Sequence, residues 1–217
     1  FSTAVFDITG EMHTSDYFVI GPGKKPQQII DEMLLKIQEY LQGFEKVFAG
    51  GAAVPGPDLR HEGRISQMTE FAGWENFNIN EALSSQQSIP VFVEHDANAG
   101  ALAEWWFGEK SPDSLVFLLA SEGIGAGIIN QGGRLLLGHD GVAGEIGHMS
   151  IDLNGRKCHC APNRRGCLEQ YSSSLSFERD VLYELPAHPE SSLYLHLNEH
   201  KITALEVFCA AEEGDAF

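Results

Sequence analysis

The residues best suited to chemistry fall in one run, Gly144–Gln170, which reads GEIGHMSIDLNGRKCHCAPNRRGCLEQ. His148, Cys158, Cys160 and Cys167 are spaced H-x9-C-x-C-x6-C. Three thiolates and one imidazole complete the tetrahedral set that structural zinc prefers. Cys158 and Cys160 are badly placed to bond each other, yet both can face one ion. The plain alternative is a group of reduced thiols in a loop. His159 is a rival to His148 as fourth ligand, but its place between two ligating cysteines turns it away, so His148 is preferred. Glu145 lies three residues before His148, and Glu169 two residues after Cys167. Closing the loop on a metal tethers both. With three thiolates at hand neither carboxylate is needed on the ion, and both can accept hydrogen bonds from hydroxyl groups. One ring nitrogen of His148 can bind metal while the other meets a ligand hydroxyl. The pattern suits a polyol or sugar site beside a metal. Glutamates on an ordinary surface are the alternative.

The elements that must position these groups alternate. Phe1–Phe6 and Tyr17–Ile20 read as a hairpin around Asp7-Ile8-Thr9-Gly10. Pro26–Gly43 reads as a helix with Ile29, Ile30, Met33, Leu34, Ile37 and Leu41 on one face and Gly43 as its stop. A strand over Lys46–Val54 runs into the breaker Pro55-Gly56-Pro57-Asp58. Val91–Val93 is a short strand, followed by a helix over Asp96–Phe107. The continuous apolar run Leu115–Leu119 predicts a strand covered on both faces. Gly123, Gly125 and Gly127 follow, then a Gly132-Gly133 turn into Arg134–Leu137. Ser176–Leu185 and Ile202–Glu213 read as helices. The order predicts an α/β protein with an N-terminal lobe over 1–107, carrying Asp96, and a C-terminal lobe over 108–217.

Bulk properties narrow the function. Of 217 residues, 43% are apolar, enough for a packed core. No run is long and apolar enough for a membrane span, and the first residues lack a signal-peptide pattern, so a cytoplasmic location is expected. The 31 Asp and Glu against 14 Lys and Arg give a formal charge of −17, which disfavours direct contact with nucleic acid. Four cysteines, three of them clustered, are no disulfide framework. Cys209, alone in a helical stretch, reads as a small buried hydrophobe.

GEIGH followed by C-x-C and GCLE resembles the second signature of the ROK family of sugar kinases and sugar-responsive repressors. Val93–Glu104 (VEHDANAGALAE) is similar to that family's catalytic-aspartate segment, Ser121–His148 to its glycine-rich segment, and Pro55-Gly56 to its PG turn. The resemblance implies an actin-like, ribonuclease H-like α/β fold with two lobes, a sugar in the cleft and a zinc-bound loop on His148, Cys158, Cys160 and Cys167. It implies that Asp96, Glu145, His148 and Glu169 contact sugar hydroxyls, and His95 is read as a further sugar-binding residue. In kinase members the residue matching Asp96 is the base that activates the sugar hydroxyl for attack on the γ-phosphate of ATP bound with Mg2+. In a sensor the same carboxylate accepts a hydroxyl hydrogen bond, and as a plain helix cap it needs no ligand.

The chain departs from the kinase pattern at several places. It shows no DxGxT phosphate strand-turn ahead of its opening strand, and it is expected to be an excerpt lacking that strand-turn and further C-terminal helices. Glu122 stands where kinase members read GTGIG, which sets a carboxylate against a phosphate. His95 replaces an Asn, Glu70 stands where kinases often carry a sugar-binding Asn, and the Cys160–Cys167 gap is longer by two, with Ala161 for Gly. These features favour a sugar-binding effector region of a ROK-type repressor over an ATP-dependent sugar kinase, with no phosphoryl transfer. DNA would be reached only through a separate helix-turn-helix segment. The resemblance also implies a homodimer or homotetramer.

Overall fold

The first hairpin is set by its turn. In the computed structural model, which describes residues 1–19, 23–56, 58–59, 64–65, 74, 77–85, 88–109, 113–197 and 202–215, Asp7 Oδ1 accepts from the Thr9 N–H at 2.7 Å, the Thr9 hydroxyl at 2.6 Å and the Glu11 N–H at 3.1 Å. These bonds hold the Asp7 carboxyl down at about 2. Gly10 closes the turn at φ +88°, and a Cβ there would lie 2.6 Å from the Phe107 ring. The chain reverses at once, so β1 (Ser2–Phe6) pairs antiparallel with β2 (Met12–Tyr17), from Ser2 opposite Tyr17 to Phe6 opposite Met12. The second strand therefore precedes the expected Tyr17–Ile20. Its residues, MHTSDY, are nearly all exposed and carry no apolar alternation to announce it. Ile20 lies outside the described residues, as do Glu70 and Pro57.

Helix α1 (Pro26–Leu41) starts on a proline, whose missing N–H costs nothing in a first turn. It buries Ile29, Ile30 and Leu34, ending two residues before Gly43. These side chains join Val54, Trp74, Ile79 and Leu83 in one apolar cluster. Strand β3 (Gly50–Val54) begins later than the expected Lys46 and pairs parallel with the strand that follows the crossover. That crossover contains the short antiparallel pair β4 (Asp58–Leu59) and β5 (Arg64–Ile65), then α2 (Ile79–Ser84), capped by Asn78. Strand β6 (Val91–His95) aligns Val91 with Gly50 and His95 with Val54, and runs directly into α3 (Asp96–Phe107). Ala97 and Ala101 on α3 are fully buried; their small side chains permit close packing.

Strands β7 (Leu115–Ala120), β8 (Ile124–Asn130) and β9 (Arg134–Leu135) form a sheet in that order. β7 is not covered on both faces as its apolar run predicts. Its burial alternates, and Val116 and Leu118 are 67% and 58% exposed. Beyond the Gly144–Leu168 loop come α4 (Glu169–Ser172), α5 (Ser174–Glu184) and α6 (Ala204–Glu212). Val181, Leu185, Leu193, Ile202, Val207 and Ala210 make a second apolar cluster. Cys209 is exposed rather than buried, because α6 turns Ala204, Val207 and Ala210 inward and leaves position 209 on the outer side.

Two compact units result. One comprises Phe1–Leu115 and Ile128–Ala143; the other comprises Val116–Gly127 and Gly144–Phe217. They are interleaved in sequence, with residues 128–143 returning to the first. Among the described residues no helix is long and apolar enough to cross a membrane.

Candidate metal centre and adjoining carboxylates

In the second unit, the loop before α4 is shaped by backbone constraints at its glycines. A Cβ at Gly144 would lie 1.9 Å from the Ala126 carbonyl oxygen, and one at Gly147 2.3 Å from that of Ile124. Glycine at both positions lets the loop lie directly on β8. Ser150 and Cys167 form an isolated antiparallel bridge, as do Lys157 and Arg165. These pairings fold the run back on itself and bring residues far apart in sequence to one point.

At that point stand His148, Cys158, Cys160 and Cys167, with all four ligand atoms within 4.8 Å of one another. Donors bound at about 2.3 Å to one tetrahedral ion stand about 3.8 Å apart. The Cys160 and Cys167 sulfurs are 3.8 Å apart, and Cys158 Sγ is 3.9 Å from His148 Nδ1. Donor chemistry and spacing therefore fit a metal ion. Burial, with hydrogen bonds to Cys158 and Cys167, pushes the Cys160 thiol up to about 12. An ion held among the sulfurs would supply the positive charge that stabilises the thiolates instead. His159, the rival ligand, is exposed and outside the group.

The outer nitrogen of His148, Nε2, lies 3.9 Å from Glu145 Oε2. The imidazole thus presents Nδ1 to the sulfurs and Nε2 to a carboxylate, an arrangement that orients a metal-binding histidine. Arg164 donates to the His148 carbonyl at 2.7 Å and pins its backbone. Glu169, the first residue of α4, accepts from the Ile124 N–H at 3.2 Å through Oε2. The carboxylate is thereby fastened to the glycine-rich turn; a Cβ at Gly123 would sit 2.8 Å from the same oxygen. Glu122 is exposed on that turn.

In the first unit, His95 ends β6 and Asp96 begins α3. His95 is buried, and its Nε2 stands 3.4 Å from Asp96 Oδ1. The same oxygen accepts from the Ala97 N–H at 2.7 Å, so Asp96 serves its own helix start. Asn98, also buried, donates to Glu94 Oε1 at 3.0 Å.

Two residues around the site had no signal of their own in the sequence. Arg164 and Asn98 act through side-chain hydrogen bonds that leave no periodicity. Only their membership of the stretches around the cysteines and around Asp96 pointed toward them.

The ROK family model matches residues 1–217. A glucokinase of Thermotoga maritima is 33% identical over 193 residues, covering 88% of this chain and 60% of that protein. The xylose repressor of Bacillus subtilis is 39% identical over 156 residues, covering 69% of this chain and 38% of the repressor. A ROK family transcriptional regulator homologous to the E. coli MLC protein superposes with a TM-score of 0.79 at 29% identity, over 99% of this chain and 54% of that one. A ROK family glucokinase from Streptomyces griseus, solved with glucose and AMPPNP, gives 0.78 at 27% identity, over 98% and 68%. The chain spans less than two thirds of the length of these two curated relatives.

Proposed function

This chain belongs to the ROK family, and from that premise we propose that it is the sugar-binding effector region of a transcriptional regulator that senses a sugar without phosphorylating it. The carrying observation is the glycine-rich turn. Glu122 is exposed on it, and the Ile124 N–H beside it is donated to the Glu169 carboxylate. A phosphate cradle needs backbone N–H groups facing an anion-binding space. Here the Glu122 carboxylate stands on the turn and repels the phosphates of a nucleotide, while one amide of the turn is already taken by Glu169.

In this reading the chain adopts the actin-like, ribonuclease H-like two-lobed fold. His148, Cys158, Cys160 and Cys167 hold a structural zinc ion that fixes the loop. Asp96, Glu145, His148 and Glu169 accept and donate hydrogen bonds to sugar hydroxyls, with His95 orienting Asp96. Sugar binding favours one arrangement of the protein and so alters operator affinity. DNA contact belongs to a separate helix-turn-helix segment, since a chain of charge −17 repels phosphates. The intact protein works in the cytoplasm as a homodimer or homotetramer.

A kinase reading draws support from the 33% identity to a glucokinase over 88% of the chain. In it Asp96 takes the proton from the attacking hydroxyl, with ATP and Mg2+ as co-reactants. Calorimetry of the intact protein against hexoses, pentoses and amino sugars, with ATP turnover measured alongside, separates the two. Sugar binding without turnover is expected. Turnover that disappears in Asp96→Asn would establish the kinase, and no binding to any sugar would refute both.

A further inference from the structure

Gln170 lies just beyond the carboxylate of GCLE and is assigned no role by the reading above. Its side-chain amide is fixed at both ends. The oxygen Oε1 accepts from Arg179 Nη1 at 3.1 Å, and the nitrogen Nε2 points to Cys158 Sγ at 3.9 Å. The orientation is chemically determined: a guanidinium only donates, so the amide oxygen must face Arg179 and the NH2 must face the sulfur.

The two arginines behind Gln170 are themselves braced. Arg179 Nη2 and Arg156 Nη1 both donate to the Gln170 carbonyl, at 2.8 and 2.9 Å. Asp180 joins them, with Oδ1 at 3.1 Å from Arg179 Nε and Oδ2 at 2.6 Å from Arg156 Nη1. The Arg156 guanidinium lies 4.9 Å over the Tyr171 ring, and its backbone N–H donates to the Tyr171 hydroxyl at 2.9 Å. Arg156 belongs to the loop, Gln170 and Tyr171 to α4, and Arg179 and Asp180 to α5. These ion pairs are well exposed, and exposed pairs contribute little stability. Their consequence is geometric: they hold one amide N–H on one sulfur.

We infer that Gln170 is an outer-sphere donor to the metal-bound Cys158 thiolate, positioned by Arg179, and that it tunes the affinity of the metal centre. The inference rests on the metal reading of the loop. A thiolate bound to a metal keeps excess charge on sulfur, and an N–H directed at it stabilises the charged ligand. Partners of this kind typically change metal affinity about 10- to 100-fold.

Gln170→Glu separates this role from a merely structural one. The shape is kept and the pairing to Arg179 strengthens, but the Gln170 N–H facing the sulfur is replaced by an anionic oxygen. A structural clamp predicts unchanged or tighter loop packing. A thiolate donor predicts weaker metal binding. The assay uses the intact protein: zinc competition against a chromophoric chelator, and the sulfur-to-metal charge-transfer band after Co2+ loading. The expected result is a loss of about 10- to 100-fold in zinc affinity and a shifted Co2+ band in Gln170→Glu. Gln170→Leu should show a smaller loss in the same direction, and Arg179→Met a partial one. Zinc affinity within twofold of the parent, with an unchanged Co2+ spectrum in both Gln170 variants, would overturn the inference while leaving the metal site intact. Failure of the parent protein to retain one zinc per chain would overturn the metal reading and this inference with it.

Discussion

Replacing Gly166 with alanine tests whether backbone geometry builds the metal loop. Gly166 precedes Cys167 and has φ +66°. A Cβ there would lie 1.7 Å from the Asp152 carbonyl oxygen, a backbone atom that no rotamer change can move. The left-handed conformation alone costs a residue with a side chain about 1 kcal/mol. Relieving the overlap must separate Gly166 from its neighbours. Two bonds stand to be lost, the Gly166 N–H to Arg156 O at 2.8 Å and the Ile151 N–H to Gly166 O at 2.7 Å. Each is worth about 0.5–1.5 kcal/mol net. The sum, about 2–4 kcal/mol, lowers the population of the formed loop by about 30- to 1,000-fold. Metal affinity should fall in proportion, because only the formed loop brings Cys167 to the other ligands. Chelator competition measures this directly. Gly132→Ala is the control: φ is +93° but a Cβ would meet nothing within 4 Å, so it should cost about 1 kcal/mol and leave metal binding unchanged. A Gly166→Ala protein that binds zinc within threefold of the parent would refute the claim that this turn builds the site.

Other perturbations have equally definite outcomes. On the zinc proposal, metal analysis should find one zinc per parent chain, none in Cys158→Ser, and one in Cys209→Ser, whose changed residue is on the exposed side of α6. On the sugar-binding proposal, Asp96→Asn should weaken sugar binding by about 10- to 150-fold in calorimetry, the worth of one hydrogen bond to a charged group, while leaving the metal content as in the parent. Asn78→Ala removes the bond from the Glu81 N–H to Asn78 Oδ1 at 3.0 Å and should destabilise by about 0.5–2 kcal/mol in chemical denaturation. Tyr40 donates to Asp16, and that bond holds its phenol up at about 12 against an ordinary 10.0. Because the folded value is raised, the bond's stabilisation is complete below pH 10 and disappears as pH rises through about 12. An absorbance titration should show a late tyrosine step near 12 that moves down toward 10 in Asp16→Asn; a titration unchanged by Asp16→Asn would contradict the bond.

Much of the candidate site was legible because its chemistry is local or periodic. Cys158, Cys160 and Cys167 announce themselves by type and spacing, and α3 begins where the VEHDANAG stretch changes from strand to helix pattern. Other features were not legible. β2 is written in residues that face water on almost every position, so its existence depends on the Asp7 turn and pairing with β1 rather than on its own pattern. The apolar run of β7 predicted burial on both faces, yet hydrophobic residues do not dictate that something covers them. Cys209 looked buried by type, but the register of α6 determines which side it takes.

By itself the sequence determined the donor set, the order of strands and helices, the acidic charge and the family resemblance, since each depends on residue identity and spacing along the chain. Tertiary structure alone decided which histidine nitrogen faces the sulfurs, that Glu169 is fastened to the Ile124 N–H, and that Gln170 reaches Cys158. Those outcomes depend on where separate backbone segments stop in space. Glycines 144, 147 and 166 set those stopping points by letting backbone approach backbone closer than any side chain allows.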